Sequence, residues 1–254
     1  MRVCAFGAAR TRVTPRRDDA RREVHALQGD YRAMRPYLAG LASNLVFLAI
    51  LLIAAGTLQY WPAWLYFAVG VTMNVGTRRV LRQDEDLAKE REKPGPGAKA
   101  WDKKLLGVGL LLSIAMLVVA GLDAGRFHLP PRLPWPWSVA GLVISTAGMA
   151  LFLRSLAENR FFSAVVRIQT DRGHTVCTTG PYAYVRHPGN LGMILGTVGL
   201  PLLLLSAWSV IPALLAVVNL VVRTHLEDAA LAAELPGYRD YQRVTRYRLV
   251  PFVW

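Results

Sequence analysis

The sequence has few cysteines and lacks the common signatures of soluble nucleotide-binding and hydrolytic enzymes. Cys4 and Cys177 are the only cysteines among 254 residues, and neither belongs to a C-x-x-C motif or to a cluster with histidine. The spacing therefore predicts neither a metal site nor a disulfide framework. No G-x-G-x-x-G turn follows a strand, and neither a P-loop motif nor a G-x-S-x-G motif occurs, which leaves Rossmann, P-loop and α/β-hydrolase chemistry without support.

Charged residues are absent from long parts of the chain. Residues 38–58, 61–77, 105–122 and 137–153 contain none, and a further uncharged run of 33 residues covers 190–222. One helical span needs about 20 apolar residues, so the last run is too long for a single crossing. Turn residues near its middle predict that it folds as a helical hairpin. The sequence thus predicts an all-α, polytopic membrane protein with five to six transmembrane helices.

The basic residues are distributed unevenly around these spans. With six spans and an inside N-terminus, 28 of the 30 Lys and Arg lie on one side of the membrane. This is the positive-inside pattern, and it predicts that both termini are cytoplasmic. It also accounts for the net charge of +13 without a nucleic-acid partner. Arginine supplies 25 of the 30, a bias typical of GC-rich bacterial genes, which favours a bacterial inner membrane.

The chain is predicted to have three parts. Residues 1–35 carry nine arginines and are expected to form a disordered basic arm, or to precede a true start at Met34. Residues 36–158 hold transmembrane helices one to four, joined by a solvated, mixed-charge helix and by an extended outer loop in residues 121–137. Residues 159–254 hold a loop, the hairpin and a C-terminal cytoplasmic helix, with a small cofactor-binding cap expected to contain a β-hairpin in residues 165–180.

Two polar motifs flank the predicted hairpin, GPYAYVRHPGN before it and RTHLED at its end. Because a hairpin returns to the same membrane face, Arg186 and His187 are expected to face Glu227 and Asp228. An arginine can bind a carboxylate through two parallel hydrogen bonds, and a carboxylate can accept bonds from an ammonium or from ribose hydroxyls. This group of side chains therefore suits a zwitterionic cofactor.

These motifs resemble those of the isoprenylcysteine carboxyl methyltransferase and phospholipid methyltransferase superfamily, over roughly residues 159–254. The family pattern comprises a GPY and RHP loop, a helical hairpin, a pair of glutamates, and a tail with glycine and tyrosines before a proline. The chain differs at Asn190, where the family has tyrosine, and at Asp228, where it has glutamate. The matching residues are Gly180, Pro181, Tyr182, Arg186, His187, Pro188, Glu227, Gly237, Tyr238, Tyr241 and Pro251.

The resemblance implies an integral-membrane methyltransferase that uses S-adenosylmethionine and takes a lipophilic small molecule or lipid as acceptor. Arg223, placed on the lipid-facing side of its helix end, is expected to hold the acceptor's polar head. Asn159 is expected either to contact the substrate or to cap a helix. The residues expected to bind the cofactor are Gly180, Pro181, Tyr182, Arg186, His187, Pro188, Glu227 and Asp228.

Two alternative functions stay open at this point. Membrane sterol reductases share an RHP loop and a similar tail but use NADPH, whose 2′-phosphate the acidic pair Glu227–Asp228 would repel. A non-catalytic, lipid-binding membrane protein is the other alternative. For the methyltransferase itself, the acceptor can be a prenylcysteine-like carboxylate, a lipid amine, or a small hydrophobic thiol or acid.

Overall fold

The computed structural model describes residues 17–254, with side chains at Met34 and from residue 36 onward. The described part is helical and contains no strand, which confirms the predicted all-α class. Residues 1–16 of the predicted basic arm lie outside the described residues, whereas its second half belongs to α1. Contacts define one compact unit from Gly40 to Trp254, and α1 up to Ala39 belongs to a separate unit. The α-helices are α1 (Arg17–Ala55), α2 (Trp61–Leu81), α3 (Glu85–Glu92), α4 (Ala100–Ala120), α5 (Pro136–Glu158), α6 (Pro188–Leu203), α7 (Val210–Glu234) and α8 (Tyr238–Val244).

Four helical segments are long and apolar enough to cross a membrane, which confirms the prediction of a polytopic helical membrane protein. α6 is apolar but has only 16 residues. α2 has 21 residues but carries Arg78 and Arg79 in its last turn. Both pack against α5, so part of the surface of each faces protein and not lipid. The four long segments are Pro36–Ala55, Ala100–Phe127, Pro136–Glu158 and Val210–Glu234.

α6 and α7 form the predicted hairpin, with a turn in residues 204–209. Ser206 Oγ donates a hydrogen bond of 2.6 Å to the buried carboxylate of Asp123, and the backbone N–H of Trp208 donates to the same oxygen at 3.1 Å. Polar backbone groups near lipid must be paired within the protein. Asp123, which follows α4 in the chain, therefore stabilises the turn between α6 and α7.

The connection between α4 and α5 is only partly the extended loop that the sequence predicts. The helix that begins at Ala100 continues through a π-helical turn, Gly121–Phe127. This turn packs closely on α1, since a Cβ atom at Gly125 would lie 2.5 Å from Ala55 Cβ. The prediction is wrong for this half of the loop because the packing on α1 and the bonds of Asp123 stabilise helix there.

α5 and α6 are antiparallel and lie in close contact because small residues face one another. A Cβ atom at Gly148 would lie 2.5 Å from the carbonyl oxygen of Gly192, and one at Gly199 would lie 2.4 Å from Ser145 Oγ. Small residues let helix backbones approach closely within a membrane. The contact brings the end of α5 beside the start of α6, and the loop between them, residues 159–187, carries the first polar motif. We call this end of the helix bundle the loop end.

The predicted β-hairpin in residues 165–180 is wrong. This segment contains a 3₁₀ turn, Thr170–Arg172, and otherwise an irregular extended backbone. Side chains supply its hydrogen bonds, since the N–H of Val166 donates to Asp102 Oδ2 at 2.7 Å. Gln169 likewise donates from Nε2 to the carbonyl oxygen of Phe161 at 2.7 Å. With these partners the two extended stretches need no strand ladder between them.

Candidate functional site

Asp228, near the end of α7, is the centre of a buried hydrogen-bond network at the loop end. Its side chain is 2% exposed and accepts hydrogen bonds at both carboxylate oxygens. This network joins α7 to the loop and to the C-terminal tail, so Asp228 connects the two polar motifs. Its partners are Arg186 at 2.8 and 3.1 Å, Tyr238 at 2.8 Å, Arg248 at 2.9 Å, and His187 and Gln242 at 3.2 Å.

Arg186 makes the two-pronged carboxylate contact that the sequence predicts, but with Asp228 and not with a ligand. Its Nη1 donates to the carbonyl oxygens of Thr245 and Arg246 at 2.9 and 2.7 Å. Burial lowers the pKa of Arg186, but the hydrogen bonds and charge of Asp228 outweigh it, and the pKa is raised. Most of its five N–H donors are therefore used inside the protein, and Arg186 shapes the site more than it offers bonds to a ligand.

Backbone geometry explains the glycine and the prolines of the first motif. Gly180 has φ of +56°, and a Cβ atom there would lie 2.6 Å from Glu158 Oε2. Pro181 lies in a 3₁₀ turn, and Pro188 is the first residue of α6, where a missing N–H costs nothing. These three residues lie outside the cavity wall described below, so their contribution to a cofactor site is the shape of the loop.

Tyr182 is buried within the same loop and does line the cavity. Its hydroxyl lies 3.4 Å from the carbonyl oxygen of Ser155, and its own carbonyl accepts a 2.6 Å bond from the Tyr241 hydroxyl. Burial raises the pKa of both tyrosines well above the ordinary value. Both remain neutral hydrogen-bonding groups that anchor the loop to α5 and to α8.

Glu227 is the carboxylate that faces the cavity. Its side chain is 25% exposed, and its Oε2 accepts a 2.9 Å hydrogen bond from Asn190 Nδ2. His187 Nδ1 lies 3.8 Å from the same oxygen, while His187 Nε2 faces Asp228. Within the described part of the chain Glu227 Oε1 accepts no hydrogen bond, so it is open to a ligand.

Asn190, one of the two departures from the motifs that the sequence resembles, lies between the two sides of the hairpin. Its Nδ2 donates to Thr224 Oγ1 at 3.0 Å as well as to Glu227, and its Oδ1 accepts from Arg223 Nη1 at 3.3 Å. Asn190 therefore orients Glu227 and Arg223 together. An amide at this position can donate to Glu227 and accept from Arg223 at the same time.

Arg223 is buried, which contradicts the predicted lipid-facing position. It is 8% exposed, and its Nε donates a 2.7 Å hydrogen bond to Asp102 Oδ1 in the first turn of α4. A guanidinium that turned outward would leave Asp102 as an unpaired buried carboxylate, which is costly. Arg223 nevertheless lines the cavity, beside Asn190 and Glu227.

Asn159 ends α5 and lines the cavity as well. Its backbone N–H bonds to the carbonyl oxygen of Ser155, and its Oδ1 accepts a 2.9 Å bond from the N–H of Phe161. This is the helix-end role that the sequence offered as one of two possibilities. Its place in the cavity wall keeps the other possibility, substrate contact, open to test.

These residues surround one end of a cavity of about 650 Å³, a volume within the usual range for a small-molecule site. From this polar end the cavity continues between α4, α6 and α7 among apolar side chains. A single space therefore joins charged groups at the loop end to an apolar interior. The apolar walls include Leu106, Leu110, Met116, Met193, Leu200 and Leu220.

Another part of the wall is supported by an ion pair that the sequence did not reveal. Arg167 Nη2 donates to Glu90 Oε2 at 2.6 Å, with both side chains almost fully buried, and Arg167 Nη1 bonds to Asp171 at 2.8 Å. Burial raises the pKa of Glu90, but the bonds from Arg167 and Ser163 outweigh it, and the pKa is lowered. α3 is thus not the fully solvated helix that was predicted, since Leu87 and Glu90 are buried.

Asp102 is the most important residue that sequence reasoning missed. It lies in KAWDKK, where the tryptophan and lysines indicate a membrane-interface anchor. The available signal was a carboxylate three residues before a long apolar run, a position that requires a partner. That partner, Arg223, is 121 residues away, so spacing alone does not identify it.

Comparison with known proteins supports the motif resemblance over part of the chain. The family model described as Isoprenylcysteine carboxyl methyltransferase (ICMT) family matches residues 139–233. This stretch runs from α5 through the loop and α6 to nearly the end of α7, and it contains Asn159, Arg186, His187, Arg223 and Glu227. No curated protein matches the sequence.

Proposed function

We propose that the protein is an integral-membrane methyltransferase that transfers a methyl group from S-adenosylmethionine to a lipophilic acceptor. The observation that carries this proposal is the single cavity that joins Glu227 and His187 to an apolar interior between membrane-spanning helices. A polar cofactor and an apolar acceptor can meet in such a space without either leaving its preferred surroundings. The family match over residues 139–233 supports the same reaction class.

The polar end of the cavity suits the donors that S-adenosylmethionine carries. Glu227 has a partly exposed carboxylate with one oxygen open to a ligand, and ribose hydroxyls or an ammonium group are its natural partners. His187 is oriented by Asp228 and Tyr238, and it offers Nδ1 beside Glu227. We assign cofactor contact to these two side chains and to Tyr182. Gly180, Pro181, Arg186, Pro188 and Asp228 would act by shaping and supporting that end.

The residues of the chain would contribute to catalysis chiefly by holding the cofactor and the acceptor in the correct relative position. S-adenosylmethionine, when bound, supplies a methyl group on a positively charged sulfur. Holding two reactants about 3–3.5 Å apart in line can supply several kcal/mol of the rate enhancement. Arg223, fixed by Asp102 and Asn190, would hold the polar head of the acceptor, with Asn159 in the same wall. A general base is needed only for an acceptor that is protonated, such as an amine or a thiol.

The apolar part of the cavity supports a lipophilic acceptor that reaches the site from the bilayer. Prenylcysteine-like carboxylates, lipid amines and small hydrophobic thiols or acids all fit this description.

We further propose that the loop end faces the cytoplasm, since 28 of the 30 basic residues fall on that side when six segments cross. In a cysteine-free background, Lys93→Cys should be labelled only from the cytoplasm and His128→Cys only from outside. The reverse pattern would invert the topology.

Cofactor binding by the detergent-solubilised protein tests the proposed function. S-adenosylmethionine should raise the melting temperature and bind with a measurable dissociation constant, whereas NADPH should do neither. Incubation with methyl-labelled S-adenosylmethionine and a total lipid extract should then label a lipid-soluble product. Stabilisation by NADPH alone would favour the reductase alternative, and stabilisation by neither would favour a non-catalytic lipid-binding protein.

A further inference from the structure

Four arginines of the described part of the chain line the cavity, and one of them has no ion-pair partner there. Arg91, in α3, has no carboxylate within 4 Å among the described residues, whereas the other three form short ion pairs. Its position lies outside the stretch that matches the methyltransferase family. The three paired arginines are Arg167 with Glu90 at 2.6 Å, Arg186 with Asp228 at 2.8 Å, and Arg223 with Asp102 at 2.7 Å.

The surroundings of Arg91 fix its guanidinium without neutralising it. Its Nη1 donates a 3.1 Å hydrogen bond to the carbonyl oxygen of Phe162, and the guanidinium carbon lies 5.5 Å from the centre of the Phe162 ring. Guanidinium groups commonly pack on aromatic rings in this way. Of five N–H donors, one is used in this contact, so the guanidinium is held in place while most of its donors stay available.

A second positive charge near Arg91 increases the excess of positive charge at this part of the cavity wall. Burial lowers the pKa of Arg91, and the nearby positive charge of Arg78 lowers it further. Two guanidiniums in one neighbourhood repel each other unless an anion lies between or beside them. A partly buried cation that is not compensated by the described protein raises the energy of the ligand-free state, and a bound anion would relieve this.

We propose that Arg91 binds an anionic group, a carboxylate or a phosphate, of a molecule that occupies the cavity. A planar guanidinium with free parallel donors matches the two oxygens of such a group. The identity of the ligand rests on the proposed function, which offers two sources. The anionic group is either the carboxylate of S-adenosylmethionine or an acidic head on the lipophilic acceptor, and the second source would restrict the acceptor to anionic amphiphiles.

Paired ligands that differ only in the anionic group test the proposal. The first pair is S-adenosylmethionine and its decarboxylated analogue, and the second is hexadecanoate and hexadecanamide. Dissociation constants are measured for wild type, Arg91→Gln and Arg91→Lys. Arg91→Gln should weaken binding of the carboxylate member of one pair about ten- to hundredfold, and it should not weaken binding of the member that lacks the carboxylate. The dissociation constant of Arg91→Lys should lie between those of wild type and Arg91→Gln, because lysine keeps the charge and loses the paired donors.

Arg243→Gln is the matched control, since Arg243 is 80% exposed and pairs only with Asp240 on its own helix. It should bind all four ligands as wild type does. Loss of the S-adenosylmethionine preference would assign Arg91 to the cofactor, and loss of the hexadecanoate preference would assign it to the acceptor. Equal affinities of wild type and Arg91→Gln for both carboxylates would overturn the proposal. So would a wild-type protein that prefers neither carboxylate over the analogue that lacks it.

The same measurements separate this inference from the proposed function. A wild-type protein that does not bind S-adenosylmethionine refutes the methyltransferase proposal, and the hexadecanoate pair still decides whether Arg91 is an anion site. A protein that binds S-adenosylmethionine with no effect of Arg91→Gln on either pair keeps the methyltransferase and loses the anion site. Melting temperatures of the variants show whether Arg91→Gln is folded, and Arg91→Lys repeats the test with less change in packing.

Discussion

Asp102 and Arg223 form an ion pair across the interior of the helix bundle, with 2.7 Å between Oδ1 and Nε. Asp102 is fully buried, and its second oxygen accepts the N–H of Val166. One carboxylate thus ties the start of α4 to α7 and to the loop after α5. It fixes the guanidinium that borders the cavity and also the backbone of the wall beside it.

Removing this carboxylate should destabilise the protein strongly. Asp102→Ala leaves the buried Arg223 with only one carboxylate contact, the longer one of 3.9 Å to Glu227, and breaking a buried ion pair typically costs about 3–5 kcal/mol. The double variant Asp102→Leu/Arg223→Leu should recover much of the lost stability, because it leaves no buried charge at either position. Thermal unfolding in detergent measures the stability of both variants. Glu85→Gln is the control, because the Glu85–Lys89 pair is exposed and such pairs contribute about 0–1 kcal/mol. A wild-type melting temperature for Asp102→Ala would contradict this account.

Glu227 and His187 should affect binding more than folding. Glu227→Gln and His187→Ala each remove a polar contact at the cavity wall, so the dissociation constant for S-adenosylmethionine should rise about ten- to hundredfold. Turnover at saturating cofactor should fall much less than affinity does. Calorimetric titration and steady-state kinetics measure the two effects. Normal cofactor affinity with collapsed turnover in His187→Ala would instead indicate proton transfer by this histidine.

Asp228 should show the opposite behaviour to its neighbour Glu227. Asp228→Asn removes the charge that compensates Arg186 and Arg248 in the buried network, and leaving buried charges unpaired is destabilising. The melting temperature of Asp228→Asn should therefore fall clearly below that of Glu227→Gln. If Asp228→Asn melted as wild type does and only lost cofactor affinity, Asp228 would be a direct ligand of the cofactor.

The α5–α6 contact should not tolerate an added methyl group. In Gly148→Ala the new Cβ atom would lie 2.5 Å from the carbonyl oxygen of Gly192, which is rigid backbone. Overpacking of this kind costs about 1–3 kcal/mol, so the variant should melt at a lower temperature. Gly107→Ala is the matched control, since a Cβ atom there meets nothing within 4 Å. It should be neutral or slightly stabilising.

Acid should destabilise the protein partly through His174. Burial, together with the positive charges of Arg167 and Arg172, lowers its pKa from 6.5 to about 4. The unfolded chain therefore takes up a proton at higher pH than the folded protein does. As the pH falls from about 6.5 to about 4, protonation favours unfolding, and above this window the histidine has no effect. Across this window the melting temperature should depend less on pH in His174→Asn than in wild type. Asparagine keeps an acceptor for the N–H of Gln169. If the melting temperature fell equally steeply with pH in wild type and in His174→Asn, other groups would be the cause of the acid sensitivity.

The class of the protein and the general position of the site can both be predicted from the amino-acid sequence. Uncharged runs of the length of residues 105–122 must be helical in lipid, because helices pair every backbone polar group within the segment. An uncharged run of 33 residues between two polar motifs must turn back, so Arg186 and Asp228 had to meet at one end of the bundle. Both conclusions follow from local composition and from chain connectivity.

The pairing of the charged groups, and which of them face the cavity, could be read only from the folded molecule. Asp102 and Arg223 are 121 residues apart. Arg186 donates to Asp228 the paired hydrogen bonds that its motif led us to expect for a ligand. The loop after α5 forms no β-hairpin, since distant side chains such as Asp102 bond its backbone. Ion pairs and loop hydrogen bonds depend on distances of a few ångströms between residues far apart in the chain. Periodicity and composition carry no information about those distances.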